Sequence, residues 1–263
     1  MAKSKNIKLN EFLKLDIQVI REIIQERKIL KNIALMADGT RRMLKLQPDF
    51  RNDDWLYEQP HINKMMEKVM GVVDFIFNLG IKFITGPLIS LQNFNRPNFL
   101  PKGAEILLDS IFQDFSIEIS KKHKIKWIIY GNKDYIETLP EGKELLYEYE
   151  KKFEELSRGS DNNSPRILLG IGYCTDIDTH FIVKESINFY RINNYYPTLN
   201  DLFVFCFKEI VPSIDIFIRT NEMRASGGLH PLLVNTGTQF YMPVSPGLIS
   251  FSEALIRKII WDF

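Results

Sequence analysis

Three polar runs of the sequence carry the residue types that bind phosphate groups. Each combines arginine with small hydroxyl or amide side chains: Asp38-Gly39-Thr40-Arg41-Arg42, the stretch containing Ser90, Asn93 and Arg96, and Arg219-Thr220 with Arg224 and Ser226. Guanidinium groups bind phosphate oxygens through paired hydrogen bonds, and hydroxyls and loop N–H groups add donors. A carboxylate such as Asp38 can hold Mg²⁺ against the same oxygens. The runs therefore predict a diphosphate pocket, with surface arginines paired to nearby carboxylates as the alternative.

Each polar run begins where an apolar, β-rich segment ends, and helical patterns separate these segments. The predicted strands are residues 33–37, 82–88, 125–130, 166–172, 214–218 and 240–244. Alternation of strands and helices at this spacing predicts an α/β fold with a mainly parallel central sheet flanked by helices. Ligands bind such sheets beyond the carboxyl ends of the strands. Asp38, Ser90 and Arg219 are therefore expected at one rim.

The domain organisation follows from the same patterns. Residues 1–31 are expected to form an N-terminal helical segment, and residues 32–263 one α/β domain, so that the chain has a single domain overall. The polar stretch 157–165, SRGSDNNSP, joins a helix to a strand without a shift in composition. We therefore interpret it as a surface loop.

Composition excludes several classes of function. Lys and Arg total 34 against 33 Asp and Glu, so the net charge of +1 does not support general nucleic-acid binding. Cys174 and Cys206 lack metal-ligand spacing and suit a reducing compartment. No apolar run approaches the roughly 18 residues of a membrane span, which predicts a cytoplasmic protein with at most peripheral membrane contact. The 19 Phe residues indicate an aromatic core or a large apolar cavity.

The three runs resemble motifs of the cis-prenyltransferase family, of the undecaprenyl diphosphate synthase type. DGTRR, SLQNFNRP and RTNEMRAS are similar to DGN-x-RW, S-x-N-W-x-RP and R-T-x-GE-x-R-x-S, in the same order. The resemblance extends from about residue 32 to the C-terminus. It implies the family fold, an apolar tunnel that holds the prenyl chain, and a homodimer. Met65, Met66, Val69, Phe94 and Phe112 are the expected lining of that tunnel.

The resemblance also implies roles for single residues. Asp38 would be catalytic and would bind Mg²⁺. Asn93 and Arg96 would support the reacting centre, and Arg219, Arg224 and Ser226 would hold the diphosphate of a homoallylic substrate. The remaining candidate diphosphate ligands are Gly39, Thr40, Arg41, Arg42 and Ser90.

Other positions depart from the family pattern. Thr40 stands in place of Asn, Met43 in place of Trp, and Gln239 in place of a Glu that helps to hold Mg²⁺. An amide is a poorer ligand for a hard cation than a carboxylate, so Gln239 would weaken a metal site at that position.

Several features instead resemble a divergent branch, the tuberculosinol synthase or tuberculosinyl adenosine transferase type. Its functional DD-Tyr segment corresponds to Asp53-Asp54-Trp55, with Tyr57 and His61 nearby, so Trp55 and His61 become candidate catalytic residues. That branch ionises a prenyl diphosphate and passes the cation to water or another nucleophile. Arg224 and Ser226 are retained here in contrast to that branch, which keeps a reaction between two diphosphates as an alternative.

The chemistry common to both branches is heterolysis of an allylic C–O bond, which yields diphosphate and a delocalised cation. The leading hypothesis is a terpene synthase or prenyltransferase that acts on a linear prenyl diphosphate with Mg²⁺. The second hypothesis is cis-prenyl chain elongation with isopentenyl diphosphate. The third is a non-catalytic partner subunit of a prenyltransferase.

Overall fold

The structure is a computed structural model that describes residues 7–27, 30–37, 59–96, 99–220, 229–243 and 251–263. Six parallel strands form one sheet in the spatial order β3-β4-β2-β1-β5-β6. The strands are β1 (Asn32–Met36), β2 (Phe83–Ser90), β3 (Lys126–Tyr130), β4 (Arg166–Tyr173), β5 (Ile216–Arg219) and β6 (Gln239–Tyr241). The predicted parallel sheet is confirmed, and each predicted strand overlaps an observed one.

Helices occupy most of the chain between these strands. The α-helices of the described residues are α1 (Leu9–Phe12), α2 (Ile17–Arg27), α3 (Gln59–Asn78), α4 (Leu91–Phe94), α5 (Ala104–Asp109), α6 (Asp114–His123), α7 (Lys133–Glu137), α8 (Gly142–Leu156), α9 (Thr175–Asn193), α10 (Leu199–Phe207) and α11 (Glu253–Asp262). Short 3₁₀ turns lie at Ser110–Phe112 and Pro231–Leu233, and one π-helical turn lies at Phe99–Gly103.

The central strands are buried on both faces. All five residues of β1 and all eight of β4 are buried, which explains why these segments are nearly continuous apolar runs. One core cluster joins the sheet to α3, α8 and α11, and a second joins it to α10. The N-terminal helices α1 and α2 belong to the first cluster, because Phe12, Ile20 and Ile24 are buried within it.

The apolar residues Leu107, Ile111, Phe115 and Ile119 recur at helical spacing, but the structure divides this stretch between two helices. The chain leaves α5 through a 3₁₀ turn, and Gln113 is extended (φ −73°, ψ 154°) before α6 begins. The apolar spacing continues across the break, since Ile111 is buried and Phe112 packs against the same core. Periodicity alone therefore did not reveal the interruption.

The connections reverse direction between β1 and β5. From β1 the chain moves to β2 and then to β3 and β4 on one side, whereas β5 and β6 lie on the other side of β1. Because all six strands are parallel, their carboxyl ends share one edge of the sheet. The reversal creates a crevice at that edge, between the ends of β1 and β5.

Candidate active site

Two polar segments meet the carboxyl edge of the sheet within the described residues. We call Ser90, Asn93, Arg96, Arg219 and Thr220 the carboxyl-edge site. Ser90 ends β2 and Arg219 ends β5, on either side of β1. With neighbouring strands about 4.8 Å apart, the two strand ends are separated by roughly 10 Å across the sheet.

Arg219 and Thr220 are fixed beside the end of β1. Met36 pairs with Arg219, and the N–H of Thr220 donates a hydrogen bond of 3.2 Å to the carbonyl oxygen of Met36. The Arg219 residue is 1% exposed and Thr220 is fully buried. Burying a guanidinium is costly unless hydrogen bonds or an anion compensate its charge. A buried guanidinium thus lies at the carboxyl edge of the sheet.

The turn after β2 presents the other members of the site. The pairing of β2 with β4 skips Leu88 and then Gly172, so the register is irregular near the end of β2 and is restored at Ser90. The oxygen Oδ1 of Asn93 accepts hydrogen bonds from the N–H of Ser90 at 3.0 Å and from its hydroxyl at 2.5 Å. This leaves the amide group of Asn93 with its two N–H donors for other partners.

The remaining predicted residues are placed differently. His61 lies half-buried in the first turn of α3, a helix that ends at Asn78 shortly before β2 begins. The first turn of α3 consequently lies toward the carboxyl edge, which is compatible with a place near the site. The predicted residues that lie outside the described residues are Asp38, Gly39, Thr40, Arg41, Arg42, Trp55, Tyr57, Arg224 and Ser226.

Gln239 lies away from the carboxyl edge. It pairs with Ile216, three residues before Arg219, which places it about 10 Å below that edge. Its side chain is exposed, and its Oε1 accepts a 3.0 Å hydrogen bond from the hydroxyl of Tyr241. This position at the amino end of β6 does not favour Gln239 as the counterpart of a metal-binding Glu.

Tyr130, Asp178 and His230 carry buried polar groups outside the carboxyl-edge site. The Tyr130 hydroxyl and Oδ2 of Asp178 are buried without a hydrogen-bond partner among the described residues. The ring of Tyr130 meets that of His230 edge-on at 5.9 Å. Burial raises the pKa of Asp178 to about 6 and lowers the pKa of His230 to about 4. His230 is therefore neutral at pH 7, and its Nδ1 accepts a hydrogen bond from the N–H of Leu232 at 3.3 Å.

The expected lining of the tunnel belongs to one large core. Met65, Met66 and Phe94 are buried in it, and Val69 and Phe112 pack against it. That these residues line an elongated cavity stays a prediction. A cavity of about 460 Å³ lies at the amino edge, between Leu30, Lys82, Phe83 and Val211.

The described residues contain neither a cluster of metal-ligating side chains nor a membrane-spanning helix. In that part of the chain no group of three or more His, Cys, Asp or Glu side chains could hold a metal ion. Nor does any helix there have the length and apolar character needed to cross a membrane.

Known proteins are similar to this chain in sequence and in fold. No family model matches the sequence. An isoprenyl transferase of Fusobacterium nucleatum is 24% identical over 244 residues, covering 90% of this chain and 89% of the relative.

Two solved structures share the fold. Lavandulyl diphosphate synthase from Lavandula x intermedia, in complex with dimethylallyl diphosphate, superposes with a TM-score of 0.70 at 19% identity, covering 89% of this chain and 96% of that one. A probable undecaprenyl diphosphate synthase from Campylobacter jejuni gives 0.58 at 19% identity, covering 89% and 94%. Neither comparison distinguishes the tuberculosinol synthase branch. The chain therefore has the fold of these two synthases, and its sequence is similar to that of an isoprenyl transferase.

Proposed function

We propose that this enzyme ionises a linear allylic prenyl diphosphate at the carboxyl edge of its sheet and transfers the resulting cation to an acceptor. The observation that carries the proposal is the placement of Arg219 and the Ser90–Arg96 turn on either side of β1, at the topological reversal. Asp38 follows β1 by two residues in the sequence. The three polar runs thus belong to three adjacent strands of one parallel sheet.

The proposed roles follow from the charge that develops during heterolysis. The allylic C–O bond breaks with its electron pair on the diphosphate oxygen, so negative charge grows on the leaving group. In a reaction with one diphosphate, Arg219 and Arg96, with Arg42 and Arg224, would stabilise that charge through guanidinium hydrogen bonds. In chain elongation, Arg219 and Arg224 would instead hold the second diphosphate. Ser90, Gly39, Thr40 and Arg41 would contribute further diphosphate contacts. Trp55 and His61 are additional proposed catalytic residues near the start of α3.

Mg²⁺ is proposed as the metal because of the kinds of side chain that the site offers as ligands. The described edge presents arginine, serine and asparagine, which suit diphosphate oxygens better than a cation. A metal ion would therefore be held by Asp38 together with oxygens of the substrate. When bound, Mg²⁺ would supply Lewis-acid stabilisation of the leaving diphosphate.

Particular residues favour each of two classes of acceptor for the allylic cation. Retention of Arg224 and Ser226 favours isopentenyl diphosphate as a second substrate, and hence cis-prenyl chain elongation. The Asp53-Asp54-Trp55 segment favours water, cyclisation or another nucleophile, and hence a terpene synthase. A non-catalytic partner subunit is the third alternative, and retention of Asp38 weighs against it.

Diphosphate release separates these three functions. Linear prenyl diphosphates of increasing length are incubated with the protein, with and without isopentenyl diphosphate and Mg²⁺. Release without isopentenyl diphosphate indicates a terpene synthase or a transferase with another acceptor. Release only in its presence indicates chain elongation. No release under any of these conditions would contradict an independently active enzyme and favour the partner-subunit function.

A homodimer is also proposed, on a surface that the fold leaves apolar. The residues Val183, Ile187, Tyr190, Leu199 and Val204 are exposed on α9 and α10, and we call this the α9–α10 apolar face. Tyr195 and Tyr196 extend it between the two helices. Contiguous apolar surface of this kind marks interaction sites. Face-to-face contact of two copies would bury this face in a homodimer, which the family resemblance implies.

A cytoplasmic location remains part of the proposal.

A further inference from the structure

The turn that carries Asn93 and Arg96 is held by a residue from another element. Tyr135 lies in α7, 40 residues further along the chain, and its hydroxyl donates a 2.8 Å hydrogen bond to Oδ1 of Asn95. Asn95 stands directly before Arg96 and two residues after Asn93. A single contact thus links α7 to the centre of this part of the carboxyl-edge site.

The base from which Tyr135 reaches the turn is rigid. Oδ1 of Asn132 accepts a 2.9 Å hydrogen bond from the N–H of Tyr135. The N–H of Asn132 donates a 3.1 Å hydrogen bond to the carbonyl oxygen of Gly172. Ile136, the next residue of α7, is fully buried. Gly131 has φ +126°, and a Cβ there would lie 2.0 Å from the carbonyl oxygen of Ile171. The chain before α7 is therefore packed backbone to backbone against β4.

The turn itself is fixed on one side and open on the other. Phe94 is buried and meets the ring of Phe99 edge-on at 5.5 Å. The N–H of Arg96 donates to the carbonyl of Asn93 at 3.1 Å. Asn95, by contrast, is exposed, so its hydrogen bond with Tyr135 restrains the solvent side of the turn.

We propose that Tyr135 is a positioning residue for prenyl diphosphate ionisation, acting through Asn95 on Asn93 and Arg96. This inference rests on the proposed function of the carboxyl-edge site. The hydroxyl touches no reacting atom in this assignment. It restricts the turn to the arrangement in which the guanidinium of Arg96 and the amide of Asn93 meet the leaving diphosphate.

The test removes only the hydroxyl. Tyr135→Phe should lower kcat for diphosphate release about three- to tenfold with KM nearly unchanged, the loss typical of one neutral hydrogen bond. Asn95→Ala should have a similar effect, and the double variant should be no worse than either single one. The matched control is Tyr147→Phe. Tyr147 is 62% exposed on α8, and the change removes the same hydroxyl group as Tyr135→Phe does.

Hydrogen exchange reports on the turn independently of activity. Amide exchange over residues 93–96 should be faster in Tyr135→Phe than in wild type and unchanged in Tyr147→Phe. Wild-type kcat in Tyr135→Phe would overturn the proposal, and so would additive losses in the double variant or unchanged exchange in the turn. Failure of the proposed function is seen separately, as a wild-type protein that releases no diphosphate from any prenyl diphosphate.

Discussion

Arg219 and Arg96 occupy the same edge of the sheet in different environments. Arg219 is enclosed at the end of β5 and beside Met36, whereas Arg96 is half-buried in a turn. Electrostatic interactions are stronger where water is excluded. Loss of Arg219 should therefore cost more binding free energy than loss of a surface arginine.

Arg219→Ala and Arg224→Ala discriminate between the two acceptor classes. If the enzyme elongates chains, these changes should chiefly raise KM for isopentenyl diphosphate, because they remove ligands of the second diphosphate. Truncating one partner of a desolvated, charge-assisted pair costs on the order of 2–5 kcal/mol. Steady-state kinetics with each substrate varied in turn measures the effect. An unchanged KM for isopentenyl diphosphate, with a raised KM for the allylic substrate, would instead support a single-diphosphate reaction.

Asp178→Asn should stabilise the protein in a pH-dependent manner. Burial raises the folded-state pKa of Asp178 from 3.8 to about 6, so the folded state binds this proton more tightly than the unfolded chain. The contribution of Asp178 to the free energy of unfolding of the wild-type protein therefore falls as pH rises from about 4 to 6. Above that range the carboxylate is ionised and the destabilisation is complete. The variant should gain up to about 3 kcal/mol at pH 7 and nothing below about pH 4.

Urea unfolding of both proteins between pH 3.5 and pH 8 measures this gain. A difference in unfolding free energy that does not change with pH would show that the Asp178 carboxyl ionises normally in the folded protein.

At the scale of elements, close packing around β4 positions the loops of the carboxyl edge. Gly170 faces the ring of Tyr130, where a Cβ would lie 2.8 Å from its hydroxyl oxygen. Gly172 has φ +70° and faces Ile136 of α7. Gly170 leaves room for the Tyr130 ring over β4, and Gly172 lets α7 approach β4 more closely than a side chain would allow.

Gly131→Ala should destabilise the fold strongly, by at least about 3 kcal/mol. The added Cβ would collide with a backbone carbonyl that cannot turn aside, at a φ that disfavours alanine. Gly71→Ala is the matched control: Gly71 is exposed within α3 with nothing within 4 Å of its Cβ position, so the change should stabilise by about 0.5–1 kcal/mol. Denaturant midpoints compare the two, and equal stability for both variants would contradict the packing described for Gly131.

The sequence predicted elements better than it predicted contacts between them. The strands were recognisable because buried parallel strands are nearly continuous apolar runs, as in β4. The break at Gln113 was not, because the apolar spacing persists through it. The contact between Tyr135 and Asn95 joins residues 40 positions apart and leaves no local pattern. The position of Gln239 at the amino edge depends on the route of the chain between β5 and β6. Local residue patterns do not predict that route.

Two surfaces of the molecule have proposed functions, the carboxyl-edge site and the α9–α10 apolar face. The face includes Val183 and Ile187 of α9 and Leu199 of α10. Tyr190 and Tyr196 stack at 4.7 Å within it. A stable interface buries about 800 Å² on each partner.

Ile187→Glu should convert the proposed homodimer into a monomer. A carboxylate at the centre of an apolar interface would lose its hydration without gaining a partner. Sedimentation velocity at micromolar concentration measures the mass, and Tyr147→Glu on α8 serves as a control that should remain dimeric. A monomeric wild-type protein would contradict the assignment of this face to a homodimer.

The most direct measurement of the central claim is the rate of diphosphate release by Asp38→Ala. If the carboxylate after β1 holds Mg²⁺ or assists catalysis, this change should lower the rate by at least about 100-fold while circular dichroism shows an intact fold. The wild-type protein, assayed in parallel on the same prenyl diphosphate with Mg²⁺, provides the reference. Wild-type diphosphate release by a folded Asp38→Ala protein would contradict the claim that this edge of the sheet ionises the substrate.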